Sequence, residues 1–181
     1  MADPYSKDDI TLEPAGEANV DLLVQWTLDP EAQGPYKRVP SMTPSQLREL
    51  FLNSTDRQYF LIRRTSDAKP LGRFYYREWH FHSDPGKVDW ELNILIADPA
   101  CRGKGYGTTT QKLALSILLT RPETHSVFAY THEDNVAERR ALLKAGLVEI
   151  GYLPSDYHSI PPPVGIRGRS VLYASHRALV L

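Results

Sequence analysis

Arg102-Gly103-Lys104-Gly105-Tyr106-Gly107-Thr108 lies between an apolar, β-branched run, Val88 to Ala97, and a run of helix formers, Thr109 to Leu119. The first run reads as a strand. The second puts Ala114, Ile117 and Leu118 on one face and reads as a helix. Three glycines at alternate positions leave a row of main-chain N–H groups uncovered by side chains. They also permit positive φ and close approach of a ligand. These donors stand at the positive end of the following helix, an arrangement suited to phosphate or pyrophosphate. A glycine-rich turn that merely joins strand to helix is the plainer reading of the run alone.

Spacing separates the phosphate-loop classes. A Walker A loop needs four residues between its first glycine and Gly-Lys-Ser/Thr, and the chain has no such pattern. A dinucleotide fingerprint, Gly-x-Gly-x-x-Gly, would place its third glycine one residue after Gly107. It also expects an acidic residue closing a strand about 20 residues on, whereas Glu123 follows Pro122 in a loop. The pattern that fits is Arg-x-x-Gly-x-Gly, met by Arg102, Gly105 and Gly107. This resembles the acyl-CoA pyrophosphate loop of the GNAT superfamily of N-acyltransferases.

At 181 residues the chain suits one domain, 1–181, with a full core. Its 41% apolar and 24% charged content is ordinary for a soluble globular protein. A net charge of −1 gives no general basis for binding nucleic acid or an anionic membrane. The single Cys101 excludes an internal disulfide and a Cys-based zinc site, and no metal is expected. Met1 to Asp9 is polar and acidic rather than a signal peptide, and no apolar stretch approaches bilayer length. The expectation is a protein of a reducing compartment, most simply the cytoplasm. A homodimer is left open.

Along the chain the pattern predicts a strand at Ile10–Glu13 and a helix at Ala18–Thr27, with Val20, Leu23, Val24 and Thr27 on one stripe. Asp29 to Pro40, with three prolines and a glycine, reads as an irregular loop. Thr43 caps a helix with Pro44 in its first position and Leu47, Leu50 and Phe51 on its apolar face. Tyr59–Arg64 and Leu71–Trp79 form a hairpin, and His82–Lys87 turns into the strand before the glycine loop. A strand at Ser126–Thr131, a helix at Asn135–Ala145 and a strand at Leu147–Leu153 follow. An excursion, Pro154 to Gly168, precedes a last strand, Arg169–Ser175. The fold class is α/β: a mixed sheet with helices on both faces. The two irregular regions are natural homes for specificity.

Asn135-Val-Ala-Glu138-Arg-Arg-Ala-Leu-Leu-Lys144-Ala-Gly146-Leu147 carries the second signal. Asn135 and Glu138 make a capping-box-like pair, and Gly146 supplies a left-handed C-cap. The segment also resembles the GNAT motif in which an Asn-led helix ends in Lys-x-Gly-Phe/Leu. That resemblance spans roughly Tyr59 to Leu153. It implies a mostly antiparallel sheet whose central parallel pair splays apart to receive the pantetheine arm, with Asn135 bonding the cofactor. The helix followed by Trp26-Thr-Leu-Asp-Pro30 is similar to the branch of ribosomal-protein N-terminal, polyamine and antibiotic acetyltransferases. Leu142 stands where many GNATs carry a tyrosine thought to protonate the leaving thiolate. Tyr106, Tyr152, Tyr157 and Ser116 are unranked substitutes.

Acyl transfer to an amine needs a base for the amine's proton. Glu91 is the expected one: it lies on the glycine-loop strand between Trp90 and Leu92, so desolvation should raise its proton affinity. Its spacing to Arg102 is that of histone-acetylating GNATs. A structural carboxylate paired with Arg73 or Arg77 is the competing reading, and His80, His82 or Asp89 could serve instead. The resemblance also implies an oxyanion donor on the main chain, freed by a bulge within Asn93 to Ile96. The expected cofactor contacts are Ile94, Leu95, Ile96, Arg102, Gly103, Lys104, Gly105, Tyr106, Gly107, Thr108 and Asn135. Lys112, Arg139 or Arg140 could reach the ribose phosphate, and Cys101 reads as a filler. Tyr36, Tyr157 and His158 are the expected acceptor contacts.

Together these readings describe an acyltransferase using acetyl-CoA or another acyl-CoA. Its acceptor is a primary amine of a small molecule or a protein N-terminus, taken by direct transfer. The alternatives are a non-catalytic acyl-CoA-binding or sensing module, and an acyl-CoA-dependent O-acylation or decarboxylation.

Overall fold

The computed structural model describes residues 5–81, 83–153 and 169–175. Within them the chain runs β1 (Tyr5–Lys7), β2 (Ile10–Pro14), α1 (Val20–Leu28), α2 (Pro30–Gln33), α3 (Pro44–Asn53), β3 (Arg57–Arg64) and β4 (Pro70–Trp79). It continues with β5 (Val88–Ile96), α4 (Tyr106–Leu118), β6 (Thr124–His132), α5 (Val136–Ala145), β7 (Val148–Tyr152) and β8 (Ser170–Ala174). The eight strands form one sheet in the order β1-β2-β3-β4-β5-β6-β8-β7. Only β5 and β6 pair in parallel. This is the expected mixed sheet with a central parallel pair.

Period-2 alternation sorts each strand's side chains onto two faces. On β3, Tyr59 and Leu61 join α1 and α3 through Val20, Leu23, Leu47 and Phe51. Phe60 and Ile62 turn the other way, to a core that includes Phe74, Trp90, Leu92, Val127, Leu113 and Leu118. Each fully buried side chain of this size contributes roughly 1.5–3 kcal/mol. Helices therefore cover both faces, and β5 is held between two cores. Among the described residues no helix is long and apolar enough to cross a membrane.

The helix ends follow their sequence signals. Thr43 and Gln46 complete a capping box at α3. At the end of α5, Gly146 adopts φ 106°, its N–H bonds Leu143 O, and the Leu147 N–H bonds Leu142 O, a Schellman arrangement. Two expectations need correction. Asp29 to Pro40 is not wholly irregular: Asp29 caps α2, accepting from the Glu31 N–H, and Pro30 takes the first helical position. The proline was thus a helix starter rather than a breaker. β1 was also unforeseen, because Tyr5-Ser6-Lys7 is too short for a readable alternation.

Candidate active site

β5 and β6 pair only over Val88–Thr124, Asp89–Ser126, Trp90–Val127 and Glu91–Phe128. Beyond Glu91 the strands part, while β6 stays paired with β8 as far as His132. A V-shaped gap opens beside the second half of β5. The Val88 N–H bonds Glu123 O on the β6 side, and the Ala97 N–H bonds Leu71 O on the β4 side. Alternation between these points aims the N–H groups of Leu92, Ile94 and Ile96 toward the gap. The β4–β5 register runs unbroken from Trp79–Asp89 to Gly72–Ile96. The bulge expected within Asn93 to Ile96 is therefore not an inserted residue, and divergence of β6 exposes the donors instead. β5 also presses on Gly72, where a Cβ would lie 1.9 Å from Leu95 O.

The glycine loop follows directly. Gly103 and Gly105 have φ of 72° and 88°, in the left-handed region. Gly105 is the N-cap of α4 and offers no side-chain cap. The first N–H groups of that helix, at Tyr106, Gly107 and Thr108, consequently have no intrahelical acceptor. A Cβ on Gly103 or Gly105 would meet nothing within 4 Å. The loop is thus a set of free donors with an open side, as a pyrophosphate requires. α4 starts three residues ahead of its predicted beginning at Thr109, which brings Gly107 into its first turn.

Several expected cofactor residues have other engagements as well. The Arg102 guanidinium donates to main-chain oxygens of Ile96, Glu31, Ala32 and Ala97 at 2.8–3.3 Å, tying α2 to the end of β5. The Tyr106 hydroxyl accepts from Arg64 Nη1 at 3.2 Å. Asn135 Oδ1 accepts from the Glu138 N–H at 3.3 Å, and its Nδ2 donates to Thr131 Oγ1 at 3.0 Å, at the end of β6 facing the gap. The capping box there is half made, since the Glu138 carboxylate accepts from Gln111 Nε2 instead. Lys104 is exposed at the loop tip, and Lys112 and Arg140 are exposed on their helices. Arg139 is drawn to Tyr173, Glu133 and Glu149.

Glu91 stands at the apex of the gap and is 3% exposed. Trp79 Nε1–H donates to its Oε2 at 2.8 Å. Burial pushes the Glu91 carboxyl above its ordinary range, against the Trp79 hydrogen bond and the nearby charges of Arg77, Arg57 and Lys37. Arg77 lies directly across from it but pairs with Asp56 at 2.9 Å. Among the described residues Glu91 is thus a desolvated carboxylate rather than a salt-bridged one. His80 pairs with Glu78, and Asp89 accepts from Ser126 and contacts His125. His82, Tyr157, His158 and the Pro154 to Gly168 excursion lie outside the described residues.

The segment after α2 crosses the mouth of the gap. The Tyr36 hydroxyl donates to Asp134 O at 3.0 Å, and its ring stacks on His132 with centroids 5.6 Å apart. Lys37 Nζ donates to Asn93 Oδ1 at 2.8 Å. Burial lowers the Lys37 pKa to about 8, and Arg73 pushes it the same way. Glu138 is raised by burial. Lys37, Asn93, Trp79 and Gly72 were missed from the sequence. The polar alternation Asp89-x-Glu91-x-Asn93 could have revealed Asn93, whereas Lys37 carries no local signal. Among the substitutes for a general acid, Ser116 bonds Leu113 O and Tyr152 lies under Arg169. Leu142 is fully buried in the core. Cys101 is buried, with its Sγ donating to Asp98.

The family description "Acetyltransferase (GNAT) domain" matches residues 9–148. No curated protein sequence matches the chain. Among solved structures, AAC(6′)-Ib with paromomycin and acetyl-CoA superposes with a TM-score of 0.74 at 20% identity, covering 95% of this chain and 96% of that one. A spermidine N-acetyltransferase chimera from Vibrio cholerae and hSSAT gives 0.73 at 16% identity, covering 95% and 98%. RimL, a ribosomal α-N-protein acetyltransferase in complex with coenzyme A, gives 0.73 at 14% identity, covering 95% and 97%. At such identities the superpositions establish a shared fold.

Proposed function

Because the chain belongs to the GNAT acetyltransferase family, we propose that it moves the acetyl group of acetyl-CoA, or a similar acyl group, directly to a primary amine. The amine belongs to a small molecule or a protein N-terminus. The observation that carries this reading is the placement of a buried carboxylate, Glu91, at the apex of a gap whose far end opens onto the glycine loop. The relatives of the same fold include acetyltransferases acting on an antibiotic, a polyamine and a protein, all through amines.

Acetyl-CoA supplies an activated acyl carbonyl and a thiolate leaving group. The protein's residues do the rest. Main-chain N–H groups from Gly103 to Thr108 hold the pyrophosphate. The edge of β5 at Ile94, Leu95 and Ile96 lines the pantetheine arm on one side, and Asn135 on the other. Glu91 takes the proton of the acceptor amine, directly or through a water, leaving its lone pair free to attack. The N–H groups of Ile94 and Ile96 face the gap and oppose negative charge developing on the carbonyl oxygen. Leu142 has no proton to give, so the thiolate departs without that acid. The buried free thiol of Cys101 fits a reducing compartment such as the cytoplasm.

Calorimetry with CoA, together with mass-spectrometric detection of acetylated products from an amine panel, tests the proposal. Micromolar binding with amine-dependent release of CoA is expected. Absence of CoA binding would overturn the cofactor assignment, and binding without turnover on any amine would favour a sensing module.

A further inference from the structure

The sheet face beneath α1 and α3 carries three rows of cross-strand neighbours around Glu91: Arg57, Arg77 and Glu91; Tyr59, Tyr75 and Asn93; Leu61, Arg73 and Leu95. Residues directly opposite one another in antiparallel pairs project to the same face. Arg57 and Arg77 share Asp56, at 3.4 and 2.9 Å. Among the described residues Arg73 has no such partner. It is 7% exposed, and its Nε finds no hydrogen-bond acceptor among the described residues. Its guanidinium carbon lies 6.0 Å from the centre of the Phe51 ring and 5.8 Å from that of Tyr75. The groups acting on its charge are the phenols of Tyr75 and Tyr59.

A second cation stands beside it. Lys37 rests on Asn93, one row nearer to Glu91, and its proton affinity is depressed by burial, with Arg73 pushing the same way. Lys37 at least has Glu91 and Glu138 within electrostatic reach. A buried guanidinium beside aromatic rings is costly where the groups around it do not repay its lost hydration. An incoming carboxylate would supply two charge-assisted hydrogen bonds in the planar fork that arginine offers.

We propose that the acceptor itself brings that carboxylate: the amine acetylated here carries an acidic group, received by Arg73 with Lys37 beside it, while its amino group turns to Glu91. The inference rests on the acetyl-transfer reading above. Along the strand, Asn93, which holds Lys37, is about 7 Å from Glu91, and Leu95, opposite Arg73, is about 13 Å from it. The carboxylate and amine of the acceptor are therefore several bonds apart. An acidic amino compound and an N-terminal peptide segment with an early acidic side chain both present this chemistry. Polycationic amines such as spermidine or an aminoglycoside would place a further positive charge against Arg73 and Lys37 and are disfavoured.

The test uses the full chain with acetyl-CoA and matched acceptor pairs. γ-Aminobutyrate is compared with n-butylamine for the small-molecule arm, and Ala-Asp-Ala amide with Ala-Asn-Ala amide for the peptide arm. In at least one arm the carboxylated member should show kcat/KM ten-fold or more above its neutral partner, and the arm that shows it identifies the source. Arg73→Met should reduce that ratio below about two-fold, mainly through KM of the carboxylated member, and Arg73→Lys should restore part of it. Should Arg73→Met fail to fold, Lys37→Met is read in its place and should narrow the same ratio. Ratios near one in both arms, a preference for spermidine, or a ratio unmoved in the variants would overturn the carboxylate assignment while leaving acetyl transfer intact. No turnover of any amine by CoA-binding protein would overturn acetyl transfer itself, and this inference with it.

Discussion

Glu91→Gln tests the chemistry with the least disturbance of the structure. The glutamine keeps an oxygen that can accept from Trp79 Nε1, so the side chain stays where the 2.8 Å bond holds it. What is lost is the ability to take a proton. Removing a general base typically lowers turnover by about 10²–10⁴-fold, which is about 3–5 kcal/mol of activation free energy at 1.36 kcal/mol per decade. Burial raises the Glu91 pKa, although Trp79 and the Arg77, Arg57 and Lys37 charges pull it back. The base is active only when deprotonated, so the wild-type rate should fall as pH drops through that raised pKa, above the ordinary carboxylate range. The variant should lose this acidic limb. The same shift fixes a stability check. A folded-state pKa raised above the unfolded value favours folding fully at low pH, and that benefit fades as pH rises through the folded pKa. Glutamine carries no such slope, so the variant should be at least as stable as the wild type at pH 7. The assay is steady-state CoA release from pH 5 to 9, with CoA affinity by calorimetry expected to change less than two-fold. A variant that keeps more than a tenth of wild-type kcat/KM with the same acidic limb would refute the assignment and turn attention to solvent deprotonation of the amine.

Gly107→Val should leave α4 in place, since a Cβ there meets only Ile94 Cδ1 at 3.8 Å, yet weaken CoA binding at least 100-fold in calorimetry by covering the loop donors. Undiminished affinity would remove the pyrophosphate from this loop. Gly72→Ala drives a Cβ to 1.9 Å from the Leu95 main-chain oxygen, which cannot rotate away. A loss of about 3 kcal/mol, the upper end for overpacking, is expected in urea denaturation, and a loss under about 1 kcal/mol would show that β5 does not depend on this close approach. The Lys37 pKa, lowered to about 8 by burial, predicts that the unfolded chain binds the extra proton between pH 8 and the ordinary lysine value. Wild-type stability relative to Lys37→Met should accordingly rise with pH across that window, by at most about 3 kcal/mol. A flat difference would mean that the amine is not desolvated.

The order of elements and the glycine loop were legible because both are encoded locally. The β-rich apolar run in Arg57–Arg64 and the alternation in Val88–Ile96 each report a strand whatever its neighbours do, and Gly105 and Gly146 mark positive φ wherever they sit. Thr43-Pro44 states a helix start within four residues, through the Gln46 reply. Asp29-Pro30 states one too, but the other prolines nearby made the segment read as a loop. The bulge was a harder case. Donors along β5 can be freed by an extra residue in β5 or by departure of its partner, and only the β5–β6 register, which no local pattern carries, distinguishes these.

The acceptor side is a product of register rather than of motif. Glu91 stood out because a carboxylate between Trp90 and Leu92 violates an apolar strand, and the structure buries it as that violation implies. Arg73 violates its own strand just as plainly, between Gly72 and Phe74, yet in sequence it reads as a partner available to Glu91. The two are on neighbouring strands, but the ladder sets Arg77 opposite Glu91 and Arg73 opposite Leu95. Shifting that ladder by four residues would pair the charges and close the site. As it stands, among the described residues the register keeps Glu91 free of a salt bridge and the Arg73 guanidinium free of a carboxylate. It also delivers Asn93 to the place where Lys37 arrives from a loop far away in sequence. On the proposed reading, the separation of Glu91 from Arg73 across a fixed ladder is what gives this face both a proton acceptor and an anion receptor.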